Sequence, residues 1–134
     1  MTRINIVPVE ELSDQWLIAE YRELPRCIKG NISIKDAPDH YVFGKGHMKW
    51  ARKYNIFTCN RMKKIVEEMH FRGFKTNFSA DLSQYITNIE KLDYTPNLAD
   101  LRLSKQRLIY KYNKKPSFYR WTKRNKPDFL KHCL

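Results

Sequence analysis

Residues 13–28 read SDQWLIAEYRELPRCI and carry the pattern of an amphipathic helix. Four apolar residues recur at helical spacing and share one face: Leu17, Tyr21, Leu24 and Ile28. Ser13 or Asp14 is suited to cap the amino end of this helix. Pro25 should kink or interrupt it, because proline lacks the amide hydrogen and clashes with the preceding turn.

Two more long helices are predicted. One covers about residues 57 to 72, with an apolar stripe and a glycine, Gly73, as its carboxy-terminal stop. The other opens at Thr95 as cap with Pro96 at the first helical position, and runs to about residue 112. Its predicted buried side consists of Leu98, Leu101, Leu108, Ile109 and Tyr112.

The rest of the chain has weaker signals. Residues 30–43 read as an irregular connection, and a short helix bearing His47 and Trp50 follows Gly44 and Gly46. Residues 113–134 read as an extended tail rich in charge and aromatics. Strand alternation is absent, and 134 residues suit a single core. We therefore predict an all-α fold: one compact domain over residues 1–134, with about three main helices and an aromatic, basic tail.

Charge is concentrated in one part of the sequence. The chain has 26 Lys and Arg against 14 Asp and Glu, a formal net charge of +12. Residues 101–126 contain no acid, and their basic residues are Arg102, Lys105, Arg107, Lys111, Lys114, Lys115, Arg120, Lys123, Arg124 and Lys126. Such a run is often only a solvated face. Its density favours a surface that meets an anionic partner such as nucleic acid.

Several other classes of protein are disfavoured. No run approaches the roughly 18 apolar residues of a membrane span, and no signal-like segment is seen, so we expect a cytoplasmic protein. The cysteines, Cys27, Cys59 and Cys133, are odd in number and far apart, which favours reduced thiols. The histidines lack ligand spacing, so we expect no zinc site.

A cluster on the first helix is a candidate for chemistry. Arg22 and Arg26 are four residues apart and share a face, Glu23 borders it, and Gln15 lies on the same side. The pattern is compatible with a surface ion-pair network. It is also compatible with a carboxylate held among guanidinium groups beside bound phosphates.

The amino terminus and the tail add two further candidates. Met1 precedes a small residue, Thr2, so removal of the methionine would expose a primary amine able to form an imine. In the tail, residues 114–124 (KKPSFYRWTKR) interleave aromatics with cations, a pattern that stacks on bases and neutralises phosphates. Phe118 or Trp121 could equally fold back as core.

The sequence resembles the pyrimidine-dimer DNA glycosylase family, of the phage and chlorella-virus endonuclease V type. The resemblance lies first in MTRIN, LSDQ and AEYRELPR within the opening 26 residues. It continues through Gly44-Lys45-Gly46-His47, Arg72-Gly73-Phe74, Asp93-Tyr94-Thr95-Pro96, Ser104-Lys105-Gln106-Arg107-Leu108 with Lys111, and Pro116-Ser117-Phe118-Tyr119-Arg120.

The resemblance implies a monomeric all-α enzyme that kinks ultraviolet-damaged duplex DNA and flips a nucleotide out of the stack. It implies that the amine of Thr2 attacks the sugar of the 5′ pyrimidine of a cyclobutane dimer, and that β-elimination from the resulting imine cuts the strand. Glu23 would stabilise the cationic sugar and move protons. The resemblance implies phosphate binding by Arg3, Arg22, Arg26, Arg107 and Lys111. The predicted DNA-binding residues also include Gln15 of the first-helix cluster and, in the tail, Phe118, Tyr119, Arg120 and Trp121.

Three departures from the family pattern leave alternatives open. Trp16 stands where a family histidine is found, the segment after Arg26 is shorter, and Phe118 replaces a tryptophan. A glycosylase or endonuclease of the same architecture with another lesion or sequence preference is therefore one alternative. A basic DNA-binding protein without catalysis is the other.

Overall fold

The structure, a computed structural model, describes residues 4–131, and none of these residues forms a β-strand. Its α-helices are α1 (Asp14–Lys29), α2 (His47–Lys53), α3 (Asn55–Arg72), α4 (Leu98–Lys114) and α5 (Asp128–Lys131). Short 3₁₀ turns occur at Val9–Glu11, Ser83–Tyr85 and Pro116–Phe118. The prediction of an all-α single domain is confirmed for this range. No helix within it is long and apolar enough to cross a membrane.

Helix α1 begins where the capping signal places it. The Ser13 hydroxyl accepts a hydrogen bond from the amide of Trp16 at 3.1 Å, so Ser13 and not Asp14 is the cap. The expectation that Pro25 would interrupt the helix is wrong, because the helix continues to Lys29. Proline removes a single backbone hydrogen bond there, while the fully buried Leu24 and Ile28 hold this part of α1 against its neighbours.

The core lies between the first three helices. Helix α1 packs against α3 and α2, and α2 packs against α3. The largest fully buried side chain is Trp50, whose indole meets the rings of Tyr41 and Tyr94 edge-on at centroid distances of 5.0 Å. This packing fixes α2 against the chain segment that precedes it, which matters for the site described below.

The carboxy-terminal end of α3 follows the sequence signal. Gly73 adopts a left-handed φ of 91°, and its amide bonds to the carbonyl of His70. The next amide, of Phe74, bonds to the carbonyl of Met69 at 2.9 Å. These reversed bonds satisfy carbonyls that would otherwise end the helix unpaired, so the predicted stop at Gly73 is confirmed.

Helix α4 begins later than predicted. Asn97, not Thr95, is the cap: its side chain accepts from the amide of Asp100 at 2.8 Å, and the Asp100 carboxylate accepts from the amide of Asn97 at 3.1 Å. This reciprocal pair satisfies two amides at once, which outweighs the preference for proline at the first position. Leu98 is consequently 78% exposed, so its assignment to the buried side is wrong.

The carboxy-terminal tail is irregular over much of its length but lies against the helices. Thr122 donates its amide and its hydroxyl to the Asp14 carboxylate, at 3.0 and 2.6 Å. Arg124 forms a two-point ion pair with Glu68 on α3, at 2.9 and 2.8 Å. Glu68 also pairs with the fully buried Arg72. The tail is thereby attached to the start of α1 and to the end of α3.

Candidate active site and DNA-binding surface

The segment of residues 4–7 forms the foundation of the site. Ile4 is fully buried, its amide donates to Nε2 of His47 at 2.8 Å, and its carbonyl accepts from the hydroxyl of Tyr41 at 2.6 Å. The amide of Ile6 donates to the hydroxyl of Ser104 on α4 at 3.0 Å. The segment belongs to no helix or sheet, so side chains supply the partners that its backbone requires.

A buried ion pair holds the same segment from below. Glu20 on α1 and Arg61 on α3 meet at 2.7 Å, with side-chain exposures of 1% and 6%. The other Glu20 oxygen accepts from the side-chain amide of Asn5 at 2.8 Å, and Arg61 donates to the carbonyl of Val7 at 2.6 Å. Their charges are therefore compensated by each other and by the amino-terminal segment.

A small pocket of about 70 Å³ opens beside this segment. Helices α1 and α4 and the amino-terminal segment contribute its lining: Asn5, Trp16, Ala19, Glu20, Glu23, Arg107 and Lys111. The pocket thus combines two acids of α1 with two cations of α4. Sequence reasoning named Glu23, Arg107 and Lys111 separately, and the fold brings them together.

The side chain of Glu23 is partly buried and partly exposed to solvent. Its side chain is 26% exposed and forms an ion pair with Arg26, one helical turn further along, at 3.1 Å. The Arg26 side chain is 67% exposed, so the guanidinium retains a face open to other anions. The structure is therefore compatible with both interpretations of this cluster, the surface ion pair and the functional carboxylate. Glu23 forms an ion pair, and it also lines a pocket.

A wider basic cleft of about 640 Å³ lies along the same helix. It is lined by Arg22, Pro25, Arg26, Lys29, Gly30 and Phe78. Arg22, Arg26 and Lys29 are exposed, and the ammonium group of Lys29 lies 5.8 Å from the centre of the Phe78 ring. Cations and an exposed aromatic ring in one cleft are suited to a nucleic-acid backbone.

The four predicted DNA-binding residues of the tail fall into two groups. Phe118 is 56% exposed and Arg120 is exposed. Tyr119 and Trp121 are half-buried, and their rings pack against Trp16 at centroid distances of 4.6 and 6.2 Å. The alternative in which tail aromatics fold back on the body therefore describes Tyr119 and Trp121 but not Phe118.

Gln15 and Trp16 connect the tail with the pocket. The side chain of Gln15 accepts from the amide of Arg120 at 3.1 Å, so Gln15 positions the tail. Trp16 lines the pocket itself and is 6% exposed. In the described part of the chain, no hydrogen-bond partner is found for its buried indole N–H. Thr2 and Arg3 lie outside the described residues.

The cysteines in the described range do not offer a nucleophile. Cys27 and Cys59 are free and buried. Burial, with the nearby charges of Glu20 and Glu23, raises the pKa of the Cys27 thiol to about 12, and burial likewise raises the pKa of Cys59 to about 11. Both thiols are therefore protonated at neutral pH. Within residues 4–131, no three His, Cys, Asp or Glu side chains are grouped to hold a metal ion.

A family model matches this part of the molecule. The model described as pyrimidine dimer DNA glycosylase covers residues 1–82, which is more than half of the 134 residues. The chain belongs to the pyrimidine dimer DNA glycosylase family. The resemblance found in the sequence is thereby confirmed, and this family acts in the repair of ultraviolet lesions in DNA.

The match to the glycosylase family includes α1, α2 and α3 with Glu23 and the basic cleft. Arg107, Lys111 and the tail lie beyond residue 82, and the fold places the first two in the pocket with Glu23. Sequence reasoning missed Glu20 and Arg61 as structural partners. The signal for Glu20 was present, because a carboxylate three residues after Leu17 and four before Leu24 lies on the apolar face of the helix.

Proposed function

We propose that this protein is a DNA repair glycosylase with a linked lyase activity on cyclobutane pyrimidine dimers in duplex DNA. The nucleophile is the α-amine of Thr2 after removal of Met1, and Glu23 is its acid–base partner. The protein acts as a monomer and without a metal or cofactor.

One observation carries this proposal: the chain that follows Thr2 is anchored in the wall of the pocket that contains Glu23. Asn5 lines that pocket, and Ile4 is held on both its backbone groups. Two residues of extended chain span at most about 7 Å. This short reach from Ile4 supports the proposal that the amine of Thr2 acts at the pocket that contains Glu23.

The proposed reaction begins with attack of the neutral amine on C1′ of the 5′ nucleotide of the dimer. The nitrogen–C1′ bond forms as the glycosidic bond breaks, and the departing pyrimidine takes up a proton while it stays joined to its neighbour by the cyclobutane ring. Opening of the sugar ring gives a protonated imine. Loss of a proton from C2′ then expels the 3′ phosphate, cuts the strand, and leaves an imine that water hydrolyses.

Glu23 supports each charged stage of this sequence. Its carboxylate stabilises the positive charge that develops on the sugar, and it accepts the proton released from C2′. Arg107 and Lys111 line the same pocket, which supports a role for both in binding the phosphates that flank the lesion. The exposed guanidinium groups of Arg22 and Arg26 extend this binding along the basic cleft. Arg3, outside the described residues, is proposed to join them.

Borohydride trapping tests the mechanism. Wild-type protein incubated with dimer-containing duplex and borohydride is expected to yield a covalent adduct at residue 2, located by mass spectrometry of the digested complex. Intact mass of the purified protein establishes whether Met1 is removed. Cleavage of damaged duplex at the normal rate by protein with an acetylated α-amine would rule the amine out as nucleophile.

Trp16 favours a second candidate, a glycosylase of the same architecture with a different lesion range. Its indole lines the pocket where the family pattern has a histidine, which changes both the shape and the hydrogen-bonding groups of the wall. A cleavage panel of dimer-containing, abasic, oxidised and intact duplexes separates the two candidates. A clear preference for oxidised bases over dimers would favour the second.

A further inference from the structure

Two side chains hold Ile4 in a clamp, defined here as Tyr41 and His47. The amide of Ile4 donates to His47 and its carbonyl accepts from Tyr41, at 2.8 and 2.6 Å. Ile4, Tyr41 and His47 are 0%, 2% and 1% exposed, so water cannot substitute for these partners. Both backbone groups of one residue are thus fixed by groups 37 and 43 positions away in the chain.

The chemistry of the partners determines which nitrogen of His47 carries the proton. Nδ1 lies 2.6 Å from the carbonyl oxygen of Val42, which only accepts hydrogen bonds, so Nδ1 is the donor. Nε2 faces the amide of Ile4, which only donates, so Nε2 is the acceptor. A neutral ring with its proton on Nδ1 satisfies both contacts. A side chain without an acceptor at the Nε2 position would leave the Ile4 amide buried and unpaired.

The backbone before His47 is built to hold the ring still. Gly44 and Gly46 adopt left-handed φ angles of 72° and 96°, and a Cβ added at Gly46 would lie 2.9 Å from Cγ of Pro38. The imidazole also packs between aromatic rings, with centroids 5.6 Å from Phe43 and 6.1 Å from Trp50. Glycine is therefore required at this close turn, because a side chain would be strained there. The packed imidazole ring has little freedom to move.

We propose that His47 and Tyr41 are positioning residues that set the place of the nucleophile. They fix the main chain at Ile4, two residues after Thr2, and so direct the α-amine toward the pocket that contains Glu23. This inference rests on the proposed amine mechanism. A misplacement of about 1 Å can reduce a rate by about a hundredfold even when it arises away from the reacting atoms. The clamp determines the position of the α-amine relative to Glu23. Its two side chains are buried and contact neither the DNA nor the lesion.

A pair of substitutions at His47 isolates the hydrogen bond to Ile4. The terminal group of glutamine is as many bonds from Cβ as Nε2 of histidine, whereas that of asparagine corresponds to Nδ1. His47→Asn thus keeps a donor for Val42 and loses the acceptor for Ile4, while His47→Gln keeps an acceptor for Ile4. Tyr41→Phe removes the other bond without emptying the site, and serves if His47→Asn does not fold.

The readout is the single-turnover rate of the borohydride-trapped adduct, measured at saturating damaged duplex, beside the dissociation constant for the same duplex. We expect His47→Asn to lower the rate by about ten- to a hundredfold with the dissociation constant changed less than about twofold. His47→Gln should recover most of the rate, and Tyr41→Phe should lower it less than His47→Asn. The control is Thr58→Val, which removes the buried hydrogen bond from Thr58 to the carbonyl of Ala51. It should reduce stability without reducing the adduct rate.

The outcomes separate this inference from the proposed function. An unchanged adduct rate in folded His47→Asn and in Tyr41→Phe would overturn the clamp and leave the amine mechanism standing. An equal loss in His47→Gln and His47→Asn would overturn the role of the acceptor at Nε2. A loss confined to DNA affinity would assign the clamp to binding and overturn it as a positioning device. Absence of any adduct with wild-type protein would overturn both the clamp and the mechanism.

Discussion

Two irregular segments of the described chain, residues 4–7 and residues 119–124, both lie against α1, but they are held differently. In the amino-terminal segment Ile4, Asn5 and Val7 are buried, with Ile4 and Val7 at 0% exposure, and Ile6 is half-buried. Residues 119–124 are all half-buried or exposed. Hydrogen bonds to buried backbone groups hold those backbone atoms in place. The cations of a surface segment, in contrast, stay accessible to a binding partner. We therefore propose that the first segment positions the reacting groups and that the second contributes to DNA binding.

The sharpest test of this division is Glu23→Gln, with the largest expected effect. It removes the negative charge that is proposed to act with the amine and keeps the size of the side chain. Turnover of dimer-containing duplex should fall by about a thousandfold, because the acid–base and electrostatic roles are both lost. DNA affinity should be equal or slightly higher, since a negative charge leaves a basic surface.

Glu67→Gln is the matched control, since Glu67 is an exposed glutamate on α3 away from the small pocket. It should leave turnover and affinity close to wild type. If Glu23→Gln cleaves damaged DNA at the wild-type rate, Glu23 is not a catalytic residue. The alternative of a basic DNA-binding protein, with the observed cleavage coming from another source, would then be favoured.

The two arginines that anchor the segments are expected to differ in their effect on stability. Arg61→Met leaves the buried carboxylate of Glu20 without its counterion, which should reduce the free energy of unfolding by about 3 kcal/mol. Arg124→Met should cost less, because Glu68 remains paired with Arg72 and the side chain of Arg124 is already 32% exposed. Urea unfolding followed by circular dichroism gives both values. Equal losses would remove the distinction between the two anchors.

Acid should loosen the anchor of the tail. Burial would raise the pKa of Glu68, but hydrogen bonds from Arg124 and Arg72 outweigh it and hold the pKa below the ordinary value. A carboxyl with a lowered pKa in the folded state contributes stability that is full above its unfolded pKa and is lost as the pH falls through the folded one. The free energy of unfolding should therefore fall as the pH is lowered below the ordinary pKa of a glutamate.

Glu68→Gln should be less stable than wild type at neutral pH and should lose less stability on acidification. Glu67→Gln, one position earlier on α3 and exposed, is again the comparison. An acid dependence in Glu68→Gln as steep as that of wild type would show that other carboxyls dominate.

Local signals explain which parts of the fold were predictable from the sequence. The start of α1 at Ser13 and the end of α3 at Gly73 each depend on one residue and its near neighbours, and both were found. The start of α4 was missed because Thr95 and Asn97 are both capable caps, and the reciprocal bond with Asp100 decides between them. Local pattern alone does not rank two such caps.

The parts of the site that were missed depend on distant pairs. Glu23 and its arginines could be named from spacing on a single helix. The pairing of Glu20 with Arg61 spans 41 positions, and that of Ile4 with His47 spans 43. Such pairs are created by the packing of α1 on α3 and of α2 on the amino-terminal segment, and no periodicity in the sequence encodes them.

The smallest expected effect separates the two kinds of tail aromatic. Phe118→Ala removes an exposed ring and should weaken binding to damaged duplex by about 1 kcal/mol, roughly fivefold, through loss of stacking on a base, with stability unchanged. Trp121→Ala removes a ring that packs on Trp16 and an indole that donates to the carbonyl of Glu11 at 3.0 Å, so it should lower the melting temperature. Fluorescence anisotropy at several salt concentrations measures the binding, and thermal unfolding measures the stability.

Because an aromatic carries no charge, Phe118→Ala should leave the salt dependence of binding unchanged, whereas Arg120→Ala should make it shallower. If Trp121→Ala instead weakens binding without destabilising the fold, Phe118 and Trp121 both bind DNA. The packing of Trp121 on Trp16 would then be the arrangement of the free protein, and it would change when DNA binds.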